Sequence, residues 1–308
     1  MNTAGFMDEG DHRCGIVAVV GRPNVGKSTL INAYLRTKVS IVTPKPQTTR
    51  ERILGILSRP GFQVLFQDTP GIHVPHRALN RRMVAEADGA LQDADVVLAL
   101  SDAHDAASCL EVECEVLKRL ESSQKPVLVA INKVDQVQKA RLLPLIEIWH
   151  RHLHPAAIVP ISARTGDGLE DLLAEVVARL PSGPALYPAE DLSDRPLRFL
   201  AAEVIREKVM LFTHQEVPYS TAVRIEAFQE PPAGARRGLV RISATILVER
   251  PSQKKIVVGS GGAMIRRIGS AAREELEALI GHKVFLELFV KVEEDWTQSE
   301  QGLRRAGG

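Results

Sequence analysis

"GRPNVGKST", residues 21–29, comes directly after the apolar run "GIVAVVG" (15–21) and directly before "LINAYLR" (30–36). An apolar run of strand length, a glycine-rich turn and a helical segment follow one another, and the turn fits G-x-x-x-x-G-K-[ST] through Gly21, Gly26, Lys27 and Ser28. Glycines let backbone N–H groups converge on phosphate oxygens at a helix N-terminus, where the helix dipole also favours negative charge. Lys27 adds a point charge for the β and γ phosphates, and the Ser28 hydroxyl is placed for Mg2+. The candidate phosphate cradle is therefore Gly21, Arg22, Pro23, Asn24, Val25, Gly26, Lys27, Ser28 and Thr29.

Outward from this loop the pattern repeats. The runs "FQVLFQDTP", "ADVVLALSD", "PVLVAINKVD" and "AAIVPISA" read as buried strands, and "CEVLKRLES", "ARLLPLIEIWHRH" and "GLEDLLAEVVARL" as helices between or after them. Strands alternating with helices predict an α/β unit with a mostly parallel sheet covered on both faces. Ligands on such sheets sit at the carboxyl ends of the strands, which is where the polar motifs fall.

"DTPG" offers Asp68, Thr69, Pro70 and Gly71. Asp68 is expected to reach Mg2+, and the Gly71 amide to meet the γ phosphate. "NKVD" selects the base: the Asp135 carboxylate can accept from guanine N1–H and the 2-amino group, a pair that adenine does not offer. Asn132 is expected to bond the base and brace the first loop, with the Lys133 stem covering the purine face. In "ISAR" the Ala163 amide is a donor for guanine O6, Ser162 supports the turn and Arg164 follows. In "TPKPQTTRER" (43–52) either Thr48 or Thr49 can complete the metal site, and Thr49 is favoured. The expected metal set is Ser28, Thr49 and Asp68, and Lys27, Thr49 and Gly71 are the candidate catalytic groups. Many GTPases place Gln after the DxxG glycine, whereas this chain has Ile72, so slow intrinsic hydrolysis is expected. His73, His76 and the "HRHLH" cluster (150–154) read as solvated surface.

The chain of 308 residues carries a formal net charge of +1 with 25% charged residues, which argues against a wholly basic coat protein. Three cysteines without CxxC spacing read as reduced thiols. No membrane-span-length apolar stretch or leader pattern is found, so a cytoplasmic protein is expected. The organisation read from the sequence is a flexible N-terminus (1–13), a nucleotide-binding domain (14–180), a proline-rich linker (181–196), a smaller α+β domain (197–295) and a tail (296–308).

The near-neutral total hides a basic region. Between 236 and 283 ten Lys or Arg stand against four Glu. Within it "IVVGSGGAMIRRIG" contains G-x-x-G as Gly259, Ser260, Gly261 and Gly262, opening a helix that carries Arg266 and Arg267. That is the form of a KH module, whose loop clamps a single-stranded RNA backbone while bases lie in an apolar groove. No basic side chain lies in the loop itself, so Lys254, Lys255, Arg266 and Arg267 are the candidate phosphate contacts.

"GRPNVGKSTLINAYL", "KPQTTRERILGI", "DTPGIHVPHRALN", "INKVD", "VPISARTGDGLEDLL", "RFLAAEVIREKVM", "EVPYSTAVRIEAF", "ILVERPSQKKIVVG" and "HKVFLELFVKVEEDW" together resemble the Era family of bacterial GTPases from about Gly15 to Arg305. The resemblance implies a Ras-like GTPase domain followed by a type II KH domain, using Mg2+ with GTP or GDP. It also implies binding to the 3′ region of 16S ribosomal RNA and a role in 30S subunit assembly and rRNA maturation. A monomer with some peripheral association at the inner face of the membrane is further implied. The rival reading is a membrane-associated signalling GTPase whose KH-like domain contacts protein or lipid; the sequence has no amphipathic or lipidated segment for it.

Overall fold

The computed structural model describes residues 12–46, 48–71, 78–104, 114–121, 123–231, 238–298 and 300–305. The chain forms two compact units: residues up to Ser40, Thr49–Val74 and Met83–Asp194 make the first, and Ile41–Thr48, Pro75–Arg82 and Arg195 onward the second.

The first unit is built from β1 (Arg13–Gly21), α1 (Lys27–Leu35), β2 (Ile53–Arg59), β3 (Phe62–Asp68), most of α2 (Ala78–Asp93), β4 (Val96–Asp102), α3 (Cys114–Glu121), β5 (Val127–Asn132), α4 (Leu142–Leu153), β6 (Ala157–Pro160) and α5 (Leu169–Val177). Its sheet runs β2-β3-β1-β4-β5-β6. Every neighbouring pair is parallel except β2 with β3. The motif-bearing ends therefore converge on one edge, as expected of a doubly wound sheet. Strand β1 explains why "GIVAVVG" shows no alternation: Val17 and Val19 enter the core on one face, Ala18 and Val20 that on the other. Each fully buried valine stabilises by about 1.5–3 kcal/mol.

Strand β2 was not among the strands read from the sequence. "ILGILS" is apolar on both sides and turns through Arg59, Pro60 and Gly61 into β3, a hairpin signal hidden beside the longer parallel pattern. The proline-rich stretch shows no apolar period because its backbone makes the contacts. Gln63 accepts from the Leu186 and Tyr187 amides at 2.8 and 3.0 Å, and the Ile56 amide donates to Leu192 at 3.0 Å. Up to Asp194 it therefore belongs to the first unit.

The second unit contains α6 (Leu197–Phe212), β7 (Thr221–Gln229), β8 (Leu239–Val248), α7 (Pro251–Val258), α8 (Ala263–Ile280), β9 (Lys283–Val292) and α9 (Glu300–Arg305). β8 is antiparallel to β7 and parallel to β9, which gives the α-β-β-α-α-β order of a type II KH domain. Alternate residues Val240, Ile242, Ala244, Ile246 and Val248 face the helices, where Val204, Ile268 and Leu276 meet them.

Residues 41–48, which follow the first helix in sequence, are held within this second unit by α6. Buried Glu207 accepts the Val42 amide at 2.9 Å, and buried Arg206 donates to the Thr48 carbonyl at 2.5 Å. Lys208 pairs with both Glu207 and Glu275 of α8. Buried charges on α6 are thus paired or hydrogen-bonded, as burial demands.

Candidate functional site

At the end of β1 the chain turns through Gly26 at φ +103°, a left-handed conformation that favours glycine. A Cβ there would lie 2.3 Å from Asn132 Nδ2, so the residue is fixed by packing as well as by backbone. Asn132, at the end of β5, donates to the Val25 carbonyl at 2.7 Å and accepts the Ala163 amide at 2.9 Å. It ties the first loop to the "SAR" loop. The Ala163 amide, expected to meet guanine O6, thus donates to Asn132. Gly71 approaches the first loop so closely that a Cβ would stand 2.7 Å from Pro23 N.

Lys27 Nζ lies inside the loop, donating to the carbonyls of Gly21 at 3.1 Å and Arg22 at 2.9 Å. Burial lowers its pKa to about 8, partly offset by the Asp68 charge. Ser28 donates to Asp68 Oδ2 at 2.6 Å; Thr49 donates to the same oxygen at 3.3 Å and lies 3.1 Å from Ser28 Oγ. Burial pushes the Asp68 carboxyl up, opposed by Ser28 and Lys27. The second oxygen, Asp68 Oδ1, is buried without a hydrogen-bond partner. A buried carboxylate with an orphaned oxygen and two hydroxyls converging on it fits a hard, oxygen-seeking cation such as Mg2+. Thr48, the alternative, turns away: its hydroxyl lies 2.7 Å from both Thr43 Oγ1 and the Lys45 carbonyl.

Asp135 accepts from Ser162 Oγ at 2.7 Å and from Arg164 Nη2 at 2.5 Å. The Ser162 bond, with the Arg164 charge, holds its carboxyl below the usual range despite some burial, so it is ionised and ready to accept. Arg164 is 71% exposed, a cap that a base can displace. Lys133 has φ +68° and pairs with Asp102 at 2.5 Å, which anchors its stem. Asp102 was missed in the sequence. It ends β4 opposite Asn132 in the strand register, a neighbour relation that only the sheet reveals.

In the second unit Gly259, Ser260, Gly261 and Gly262 join α7 to α8, with Gly259, Gly261 and Gly262 all at positive φ. Beside them lies a cleft of about 400 Å3 lined by Gly262, Ile265, Arg266, Arg273, Leu286 and Leu288. Apolar walls with arginines at the rim suit bases inside and phosphates outside. The expected contacts divide: Arg266 lines this cleft, but Arg267 lies 4.2 Å over the Phe212 ring, and Lys254 and Lys255 are exposed on α7. Arg273 joins the cleft without having been singled out in the sequence. Ile72, His73 and His76 lie outside the described residues. His150, His152 and His154 are not buried, and no metal-binding group of His, Cys, Asp and Glu occurs among the described residues.

These features define a P-loop GTPase unit followed by a KH unit. Family models agree: "50S ribosome-binding GTPase" matches residues 16–133 and "KH domain" residues 216–297. The GTPase Era of Geobacter metallireducens is 48% identical, covering 98% of this chain and 99% of its own length. That of Syntrophus aciditrophicus is 45% identical over 96% of this chain and 95% of its own. Among solved structures, Era with MgGDPNP and nucleotides 1506–1542 of 16S ribosomal RNA is 42% identical with a TM-score of 0.87, covering 96% of this chain and 99% of that one. A single-residue variant of Aquifex aeolicus Era bound to GDP.AlF4- gives 42% and 0.88 at the same coverage. The chain belongs to the Era family of GTPases.

Proposed function

We propose that this protein is a GTP-binding, slowly GTP-hydrolysing switch that binds the 3′ region of 16S rRNA through its KH unit and acts in 30S subunit assembly and rRNA maturation. The observation that carries the proposal is the presence, in one chain, of a guanine-type carboxylate at Asp135 and a GXXG cleft with arginine at its rim. The related Era structure holding both a GTP analogue and a 16S rRNA segment supports the same pairing.

In this reading Gly21 to Thr29 cradle the phosphates, and Lys27 leaves its loop carbonyls to meet the β and γ oxygens. Ser28, Asp68 and Thr49 would hold Mg2+, which when bound would neutralise charge on the phosphates. Guanine replaces the Arg164 guanidinium on Asp135, while Lys133 covers the ring. The Gly71 amide and Lys27 stabilise charge developing around the γ-phosphoryl group, and with Ile72 after Gly71 no glutamine orients the water, so intrinsic turnover is slow. The functional division proposed is a GTPase domain over 14–180 and an RNA-binding domain over 197–295, working as a monomer. Any membrane association is peripheral in this reading: among the described residues no helix is long and apolar enough to cross a bilayer.

The test is sequencing of the RNA crosslinked to the protein in cells. Enrichment of the 3′ end of 16S rRNA, lost in a Gly261→Asp and Gly262→Asp double variant that keeps its nucleotide affinity, supports the reading. Enrichment elsewhere, or crosslinking indifferent to the loop, defeats it.

A further inference from the structure

Strand β9 is an edge strand with two different faces. Leu286 and Leu288 line the GXXG cleft, while the alternate residues Phe285 and Phe289 point to the other side of the sheet, 45% and 56% exposed. Large aromatic side chains in that position bury little on folding, so the core does not explain them. Cations flank them, with Glu287 between the two rings. The register sets Leu239, Arg241 and Ser243 beside Lys283, Phe285 and Glu287, and Lys291 follows Phe289 along the strand. On these two strands Arg241, Lys283 and Lys291 share the face with Glu287. Lys283 and Lys291 reach Glu277 and Glu293 at 2.9 and 3.2 Å, yet their side chains stay 79% and 58% exposed, with donors left for a phosphate. The Arg241 guanidinium lies 5.4 Å over the Phe285 ring.

Open rings flanked by cations are an arrangement that single-stranded nucleic acid can use: bases stack on the rings while phosphates meet the flanking charges. Phe285 and Phe289 are four residues apart on one strand, about 13 Å at strand rise. A KH groove takes about four nucleotides, so a longer strand leaving the cleft has only to turn over the β9 edge to reach this face. We propose that the outer face of β9, centred on Phe285 and Phe289, is a second RNA subsite that stacks the bases continuing beyond the GXXG groove. It rests on the KH reading above.

The test uses full-length protein with a GTP analogue and two single-stranded RNAs, one of about four nucleotides that fills the groove alone and one of about twelve. Phe285→Ala with Phe289→Ala is expected to weaken the long RNA by about tenfold per ring lost and leave the short one unchanged. Phe289→Trp in a chain that keeps Phe285 retains binding. Unchanged affinity of the double variant for the long RNA overturns the proposal, as does self-association of the wild type that the double variant abolishes, which would make the face a contact between copies. Equal loss on both RNAs, with a parallel loss of folding by circular dichroism, is resolved with the single variants Phe285→Tyr and Phe289→Tyr, which keep the rings: full retention of long-RNA affinity supports stacking, and loss refutes it. Failure of the KH reading looks different, since the short RNA then fails to bind wild type and Gly261→Asp has no effect.

Discussion

Lys27 is protonated only conditionally before nucleotide arrives, which makes GTP binding pH-dependent in a calculable way. Burial brings its pKa down to about 8. Triphosphate oxygens within reach favour the charged form, so the complex has the higher pKa. Below about pH 8 the lysine is charged in both states and binding moves no lysine proton; above it, binding takes one up and affinity falls as pH rises. Going from about pH 7 to about pH 9 changes the protonated fraction from about nine-tenths to about one-tenth, so GDP or GTP binding weakens about tenfold, or about 1.4 kcal/mol. Most of the phosphate ionisation is already complete at about pH 7. Isothermal titration calorimetry in buffers of different ionisation enthalpy measures both the affinity and the protons exchanged. Uptake approaching one proton at the high end, with the affinity loss, is expected. A flat affinity with no uptake across this range refutes the argument that buried Lys27 must regain its charge to hold phosphate.

Three further outcomes follow from the same geometry. Asp135→Asn loses GTP by at least about a hundredfold and gains xanthosine triphosphate in competition binding, because the acceptor for N1–H becomes a donor. Thr49→Ala raises the Mg2+ concentration needed for GTP-analogue binding, whereas Thr48→Ala, whose hydroxyl faces Thr43 and Lys45, leaves that titration unmoved. Tyr34→Phe leaves the Leu169 carbonyl without its 2.8 Å donor and lowers the stability of the first unit in urea melts by about 1 kcal/mol.

What the sequence made legible is what depends on local order. The phosphate loop, the acidic strand ends and the GXXG turn each combine a residue pattern with its own strand or helix, and periodicity alone places them. What it hid depends on neighbours brought together by the sheet. Asp102 anchors Lys133 only because β4 and β5 pair in a particular register. Adjacent threonines at 48 and 49 are indistinguishable as letters, and only the grip of Arg206 on the Thr48 carbonyl, with Thr49 beside Ser28, tells them apart. Neighbouring arginines conceal direction in the same way: in "MIRRIG", Arg266 lines the cleft while Arg267 stacks on Phe212. In β9 apolar residues fall at both parities, and only the structure gives their different surroundings: Leu286 and Leu288 line the cleft while Phe285 and Phe289 are exposed.

Control of the RNA-binding unit by the bound nucleotide is read from the affinity of the full-length protein for the 3′-terminal segment of 16S rRNA with a GTP analogue and with GDP. Binding is expected to be tighter with the GTP analogue and to prefer this segment over an RNA of scrambled sequence, with both lost in the Gly261→Asp and Gly262→Asp double variant. Equal affinity in the two nucleotide states, or equal affinity for the scrambled RNA, would contradict it.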